Sequence, residues 1–326
     1  MANAPQNVTR TTDFKCPPHP RARRQRREMR RIGHHAGTPR QQQRELQPAG
    51  QIDRERKQRA ARRRQRQRDR RDTRAADAVA QALHRPFNRV VRHATGLDAF
   101  VAAAPAQPPA PLAGLIFHMS RCGSTLIAQM LSELAATVSL SEPGPLDGVI
   151  RYALADIPQE RHVALLRAMV AALARPRNGE RRCFIKLDSW HILALPLFRA
   201  AFPGVPWIYL FRDPVEVLVS QLRMRGYQTV PDLMPGGLYG LAANLPVDPE
   251  TQCARILARY HAAALEALRG GGGLAVDYAT LPDAFERWVA PHFGVRLSSR
   301  ERIDVAARAS HDAKFPQSRF MPDGRS

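Results

Sequence analysis

Aromatic residues are scarce in this chain, at 6%, and there are only four cysteines in 326 residues. Cys16, Cys122, Cys183 and Cys253 have no metal-ligand spacing and no pattern of a disulfide scaffold, so they read as reduced small residues. No apolar run reaches the length of a membrane span, and no apolar segment follows the first basic residues as in a secretory signal. These absences lead to the expectation of a cytoplasmic protein without a membrane span. The phosphate loop Gly-x-x-x-x-Gly-Lys-Ser/Thr of nucleoside triphosphatases is missing, as is an obvious Asp after a hydrophobic strand to hold magnesium. Both count against a small-molecule or nucleotide kinase, which stays as an alternative.

What is abundant is positive charge, and it is unevenly spread. Residues 1–74 carry 23 Lys and Arg against 7 Asp and Glu, a net of +16. The other 252 residues carry 27 against 22, a net of +5. The first segment has almost no apolar periodicity and cannot bury enough surface to offset the entropy of ordering. It is expected to be a disordered Arg-rich tail. Its charge density would suit a nucleic-acid or acidic-surface arm, so a nucleic-acid-binding protein acting through the tail is a second alternative. It lacks the apolar face of a membrane-surface anchor, and its acidic residues argue against a transit peptide. An extension with no evolved role, from a start site set too far upstream, ranks first. Residues 75–111 are expected to be a helical segment, with Val79, Leu83, Phe87, Val90 and Val91 at helical spacing, followed by an Ala/Pro linker. Residues 112–326 are the expected catalytic domain.

Within that domain, strands alternate with helices, which predicts an α/β fold with a parallel sheet. Gln159–Ala174, Trp190–Ala201 and Thr251–Leu268 read as helices, and 227–244 as a long loop. The most informative stretch begins with the buried-strand run Leu115-Ile116-Phe117. The turn Ser120-Arg121-Cys122-Gly123-Ser124-Thr125 comes next, and then a helix with Leu126, Met130, Leu131 and Leu134 on one face. Strand, small-residue turn and helix aim several backbone N–H groups at one spot, which the helix dipole makes favourable for phosphate or sulfate. Gly123 admits close approach, Ser124 and Thr125 add hydroxyls, and Arg121 adds a fixed cation.

A second segment has the same grammar. The strand run Trp207–Phe211 is broken by Arg212-Asp213-Pro214, and a helix follows from about Val215 to Arg225. Arg212 falls at a strand's carboxyl end, where open α/β sheets bind ligands. Ser220 lies eight residues on, and Arg223 is on the same helical face. Arg182–Lys186 reads as a strand ending in a lysine, and Gly273–Leu281 as a late strand with a Tyr-x-x-Leu ending.

Together these segments, in this order over about 112–293, resemble the sulfotransferase family in a bacterial-looking, divergent form. The resemblance implies a P-loop NTPase-like sulfotransferase fold. It also implies a PAPS co-substrate (3′-phosphoadenosine 5′-phosphosulfate), with the bisphosphate PAP as product and no metal. Arg121, Cys122, Gly123, Ser124 and Thr125 would hold the 5′-phosphosulfate, Arg212 and Ser220 the 3′-phosphate with Arg223 beside them, and Lys186 the sulfate. Arg121 cannot donate a proton near neutral pH, so it would act as an electrostatic clamp. The family's C-terminal Arg-Lys-Gly loop is absent; Lys314 could do part of its work, but a flexible tail lysine is the preferred reading. For a hydroxyl acceptor a base is needed. Glu142, behind the loop helix, is the first choice. His191, five residues after Lys186, is the rival. Asp188 is read as orienting Lys186, and His118 as a packed strand-end histidine. The acceptor class stays broad, a small molecule or a peptide, and the oligomeric state is open.

Overall fold

The computed structural model describes residues 94–106, 108–152, 157–230, 234, 239 and 248–311. The expected tail, the helices read between Ala75 and residue 93, most of the 227–244 loop and Lys314 lie outside the described residues. The described part opens with a short helix, α1 (Leu97–Ala103). Five strands follow: β1 (Leu112–His118), β2 (Thr137–Ser141), β3 (Arg182–Lys186), β4 (Trp207–Phe211) and β5 (Gly273–Asp277). All pair in parallel, in the order β2-β3-β1-β4-β5. The α/β class expected from the alternation is the class observed.

The reason lies in where the apolar side chains fall. Leu115, Ile116 and Phe117 of β1, Phe184 and Ile185 of β3 and Ile208 and Leu210 of β4 are all at most 2% exposed. A run buried on both faces suits the centre of a parallel sheet, covered by helices. Gly114 is required by packing, since a Cβ there would come within 2.5 Å of the Phe293 ring.

The longer helices are α2 (Ser124–Ser132), α3 (Gly144–Tyr152), α4 (Gln159–Leu173), α5 (Leu195–Ala201), α6 (Pro214–Arg223), α7 (Pro249–Arg269) and α8 (Ser299–Ala309). With right-handed crossovers, this strand order sends α2 to one face and α4, α5 and α7 to the other. Helix α8 packs on α2. Its capping box joins Ser298 to Glu301, and Glu301 Oε1 also accepts from Ala135 N at 3.0 Å.

One expected helix divides. Trp190–Ala201 is a tight turn, Ser189–Ala194, followed by α5. Pro196, in the first turn of α5, has no N–H to continue an α-helix through this point. Helix α6 ends at Arg223, and Asp213 caps its start by accepting from Val215 N at 2.8 Å.

The order also positions the site. The chain steps from β1 outward to β2, then returns to insert β3 between them and crosses to β4. The connections leaving β1 and β4 run in opposite directions, which opens a crevice at the carboxyl ends of those strands.

Candidate functional site

The carboxyl ends of the strands deliver the site residues. β1 feeds the turn Met119–Gly123, in which Ser120 (φ 76°), Arg121 (φ 54°) and Gly123 (φ 78°) are left-handed. Such a turn curls backbone N–H groups into a concave nest for an anion. The first-turn N–H groups of α2 have no intrahelical acceptor and face the same place. Gly123 is needed twice over: by its φ, and because a Cβ would meet Leu281 at 2.7 Å and Tyr278 at 3.0 Å. The late Tyr-x-x-Leu segment therefore walls the anion loop.

Left-handed Ser120 and Arg121 each cost about 1 kcal/mol or more, so neighbours must hold them. His118 Nδ1 accepts from Ser120 N at 3.0 Å. Ser120 Oγ accepts from Gln221 Nε2 at 2.9 Å. Arg121 Nη2 donates to the Met224 carbonyl at 2.5 Å. Cys122 is fully buried, and its Sγ donates to Leu210 O at 3.3 Å. Burial pushes its thiol up to about 12. It anchors the loop and can offer a ligand only its backbone.

Beside the loop, Ser141 of β2 is in register with Lys186 of β3, and Glu142 N donates to Lys186 O at 2.7 Å. This puts the two side chains in contact, with Lys186 Nζ hydrogen-bonded to Glu142 Oε1. The ammonium is buried, while the Glu142 side chain is 40% exposed to the cleft. Burial pushes the Glu142 carboxyl up, but the charge of Lys186, with His118 behind it, outweighs this and holds it well below the carboxylate range. His118 Nε2 donates to Leu187 O at 2.8 Å and lies 3.6 Å from Glu142 Oε1. Since Nδ1 accepts from Ser120, the proton of neutral His118 sits on Nε2. Burial and then Lys186 lower its pKa, which keeps it neutral.

At the other end of the cleft Arg212 leaves β4. Its guanidinium stands 4.5 Å from the Tyr278 ring centroid, and Nε donates to Glu216 Oε2 at 2.5 Å. Ser220, two turns along α6, lines the same cleft.

The cleft holds about 720 Å³. Its lining brings together Arg121, Cys122, Gly123, Ser124, Thr125, Glu142, Lys186, Arg212 and Ser220. Two expected site residues lie elsewhere. His191 is 1% exposed, its Nδ1 accepts from Asp188 N at 3.1 Å, and its Nε2 meets Asp147 Oδ1 at 3.1 Å. Both ring nitrogens are committed, Nδ1 to the start of the Ser189–Ala194 turn and Nε2 to Asp147 of α3. Arg223, at the end of α6, is exposed and outside the lining. Asp188 does line the cleft, but it caps that turn through Ser189 N at 2.6 Å and accepts from Tyr227 OH at 2.6 Å instead of orienting Lys186.

Sequence reasoning missed Tyr227 and Gln221. Gln221 is fully buried, and it spans from Ser120 to Gly226, whose N–H its Oε1 accepts at 2.8 Å. Nothing local marks a helix glutamine as a loop clamp. Among the described residues no group of His, Cys, Asp and Glu could hold a metal ion. No described helix is long and apolar enough to cross a membrane.

Fold and site together define an α/β protein with a left-handed loop leading into a helix, and an ion-paired carboxylate beside it, at the carboxyl edge of a parallel sheet. No protein-family model matches the chain, and comparison with curated protein sequences gives no match. Among solved structures, the chain is similar to the sulfotransferase domain of the Synechococcus PCC 7002 olefin synthase, at 19% identity and a TM-score of 0.41, over 64% of this chain and 80% of that one. It is also similar to the sulfotransferase domain of the curacin biosynthetic pathway, at 18% identity and a TM-score of 0.43, over 62% and 79%. A sulfotransferase from Mycobacterium avium matches at 14% identity and a TM-score of 0.41, over 70% and 74%.

Proposed function

We propose that this protein is a sulfotransferase that moves a sulfuryl group from PAPS to a hydroxyl or amine acceptor. The observation that carries the reading is the meeting of three features in one cleft: a left-handed loop carrying Arg121, the Lys186–Glu142 pair, and Arg212 with Ser220 at the far end. Two anion-binding ends in one cleft suit a co-substrate with phosphate at its 3′ position and phosphosulfate at its 5′ position. The lining at the Arg212 end, with Tyr278 beside it, suits the flat adenosine between them.

The chemistry follows from the side chains. The acceptor oxygen attacks sulfur, its proton goes to Glu142, and the sulfur–oxygen bond to the 5′-phosphate breaks with its electron pair leaving on the phosphate. Charge shifts from the sulfuryl group to the leaving phosphate. Stabilisation then comes from fixed donors and cations at both places, as in phosphoryl transfer. Arg121 and the N–H groups of the nest serve the phosphate, and Lys186 serves the sulfuryl oxygens. In the free protein Lys186 suppresses the basicity of Glu142. Drawing Lys186 toward the sulfuryl group would release that carboxylate as base when donor is bound, so the pair links the two events. The base is read as Glu142 and not His191, because His191 has no nitrogen to spare and does not reach the cleft.

The test is direct. The purified protein is incubated with PAPS and a panel of hydroxyl and amine acceptors, and thermal shifts are recorded with PAP, adenosine 5′-phosphate and ATP. Stabilisation by PAP over the other two, with a sulfated product lost in Lys186→Ala, is expected. Stabilisation by ATP alone would move the protein to the kinases.

A further inference from the structure

Helices α6 and α8 begin alike and then differ. Each has a capping residue followed three positions later by a glutamate, Asp213 and Glu216 in α6, Ser298 and Glu301 in α8. That spacing normally sends the glutamate back to the N–H of the capping residue. Glu301 does this, accepting from Ser298 N at 2.9 Å. Glu216 instead accepts from Nε of Arg212, the residue before the cap, at 2.5 Å. The carboxylate of the first turn thus goes to the side chain read above as the ligand of the 3′-phosphate.

The direction of this contact matters. Arg212 lines the cleft and also a separate cavity between β4, β5 and α7, whereas Glu216 lines that cavity and not the cleft. The carboxylate therefore takes the Nε edge of the guanidinium from outside the cleft. Tyr278 covers one face, its ring centroid 4.5 Å from the guanidinium carbon. The main chain is held as well, with Arg212 N donating to Met119 Sδ at 3.1 Å. The Arg212 side chain is 15% exposed and that of Glu216 49%. An ion pair with both partners in water holds neither in place. Here the cation is mostly buried and only the carboxylate is open, so the pair restrains the guanidinium. An arginine has much rotamer freedom to lose when it grips an anion, and setting its geometry beforehand reduces that loss.

We propose that Glu216 is a positioning residue for the donor nucleotide: it fixes the Nε edge of Arg212 from behind and turns the distal nitrogens toward the cleft, where they tell a nucleotide with a 3′-phosphate from one without. This rests on the sulfotransferase reading. It also commits to a sign. A carboxylate beside a phosphate site lowers the positive potential there, so a Glu216 acting only through its charge would oppose PAP binding. A Glu216 that positions Arg212 promotes it.

The test is calorimetry with PAP and adenosine 5′-phosphate on the full chain and its variants. The wild type is expected to prefer PAP; no preference would sink the sulfotransferase reading and this proposal with it. Glu216→Ala should weaken PAP about tenfold, within the range of couplings between touching residues, and leave adenosine 5′-phosphate unchanged. Glu216→Gln keeps an oxygen to accept from Nε and should stay within about threefold of the wild type. Glu216→Asp keeps the charge and a carboxylate suited to the first turn, but draws it back by one methylene, so its PAP affinity should fall between those two. In an Arg212→Ala background, adding Glu216→Ala should change nothing, because the effect passes through Arg212. Where the wild type keeps its preference, unchanged or tighter PAP binding in Glu216→Ala overturns the proposal alone. An equal loss for both nucleotides does the same, since it reports damage to the fold. If the alanine variant fails to fold, Glu216→Asp decides, and unchanged PAP binding there overturns the proposal.

Discussion

Glu142→Gln keeps the shape of the side chain and removes its charge, and the structure separates what that should do to stability from what it should do to rate. The buried Lys186 ammonium faces a carboxylate that is 40% exposed. Breaking a fully buried pair costs about 3–5 kcal/mol, and an exposed pair is worth about 0–1 kcal/mol. A half-open pair with one buried partner falls between, at about 2 kcal/mol. For a domain of this size that lowers Tm by about 4–8 °C. The rate of transfer to a hydroxyl acceptor should fall by about 10²–10⁴-fold, the worth of a positioned base. PAP affinity should hardly change, because PAP lacks the sulfuryl group that Lys186 and Glu142 would serve. Glu142→Gln combined with Lys186→Met removes the stranded charge as well, so it should recover most of the lost Tm and none of the rate. Thermal unfolding and single-turnover transfer from PAPS measure the two effects. Turnover within about threefold of the wild type, alongside the expected fall in Tm, would reduce Glu142 to a partner for Lys186 and sink its role as base.

Arg212→Ala should cost about 2–4 kcal/mol of PAP binding and erase the preference for PAP over adenosine 5′-phosphate; calorimetry with both nucleotides checks it, and unchanged discrimination refutes the 3′-phosphate assignment. Gln221→Leu leaves Gly226 N–H and Ser120 Oγ without their buried partner, so the anion loop should loosen and the donor KM rise about tenfold with kcat less affected. Gln221→Asn should recover part of that loss, and an unchanged donor KM in the leucine variant refutes the positioning role. Acid should destabilise the protein in two steps, followed as Tm against pH. The His118 pKa is lowered in the fold by burial and Lys186, with Glu142 and Asp188 opposing, so its contribution is full above its ordinary 6.5 and is lost progressively below that. The Glu142 pKa is lowered by Lys186 against the effect of burial, so its contribution is full above its ordinary 4.5 and is lost only as pH falls through its depressed value. His118→Asn should flatten the first step, and an identical profile in that variant refutes the assignment.

Local chemistry made some of this readable without a fold. Apolar runs such as Leu115–Phe117 and Trp207–Phe211 announce buried strands, because a strand covered on both faces has no polar alternation to show. The turn Ser120–Thr125 and the break Arg212-Asp213-Pro214 announce strand-to-helix corners, because Gly, Pro and small hydroxyl residues are what such corners need. Helix α8 was equally local, with Ser298 and Glu301 spaced as a capping box, and was not read from the sequence.

Other features depend on which strands become neighbours. Nothing near Glu142 says that Lys186, 44 residues later, will lie against it; that follows from β3 inserting beside β2. His191 has a catalytic residue type at a plausible spacing, yet the turn imposed by Asp188 and Pro196 buries it against Asp147. Gln221 looks ordinary in sequence, and takes on meaning only through Ser120. The sequence by itself determined the α/β alternation, the anion loop and the residue types at the strand ends, because these depend on backbone conformation and burial within a few residues. The tertiary structure alone decided the Glu142–Lys186 pair and the removal of His191 and Arg223 from the cleft. Those depend on strand order and on the register between distant segments, which local periodicity does not encode.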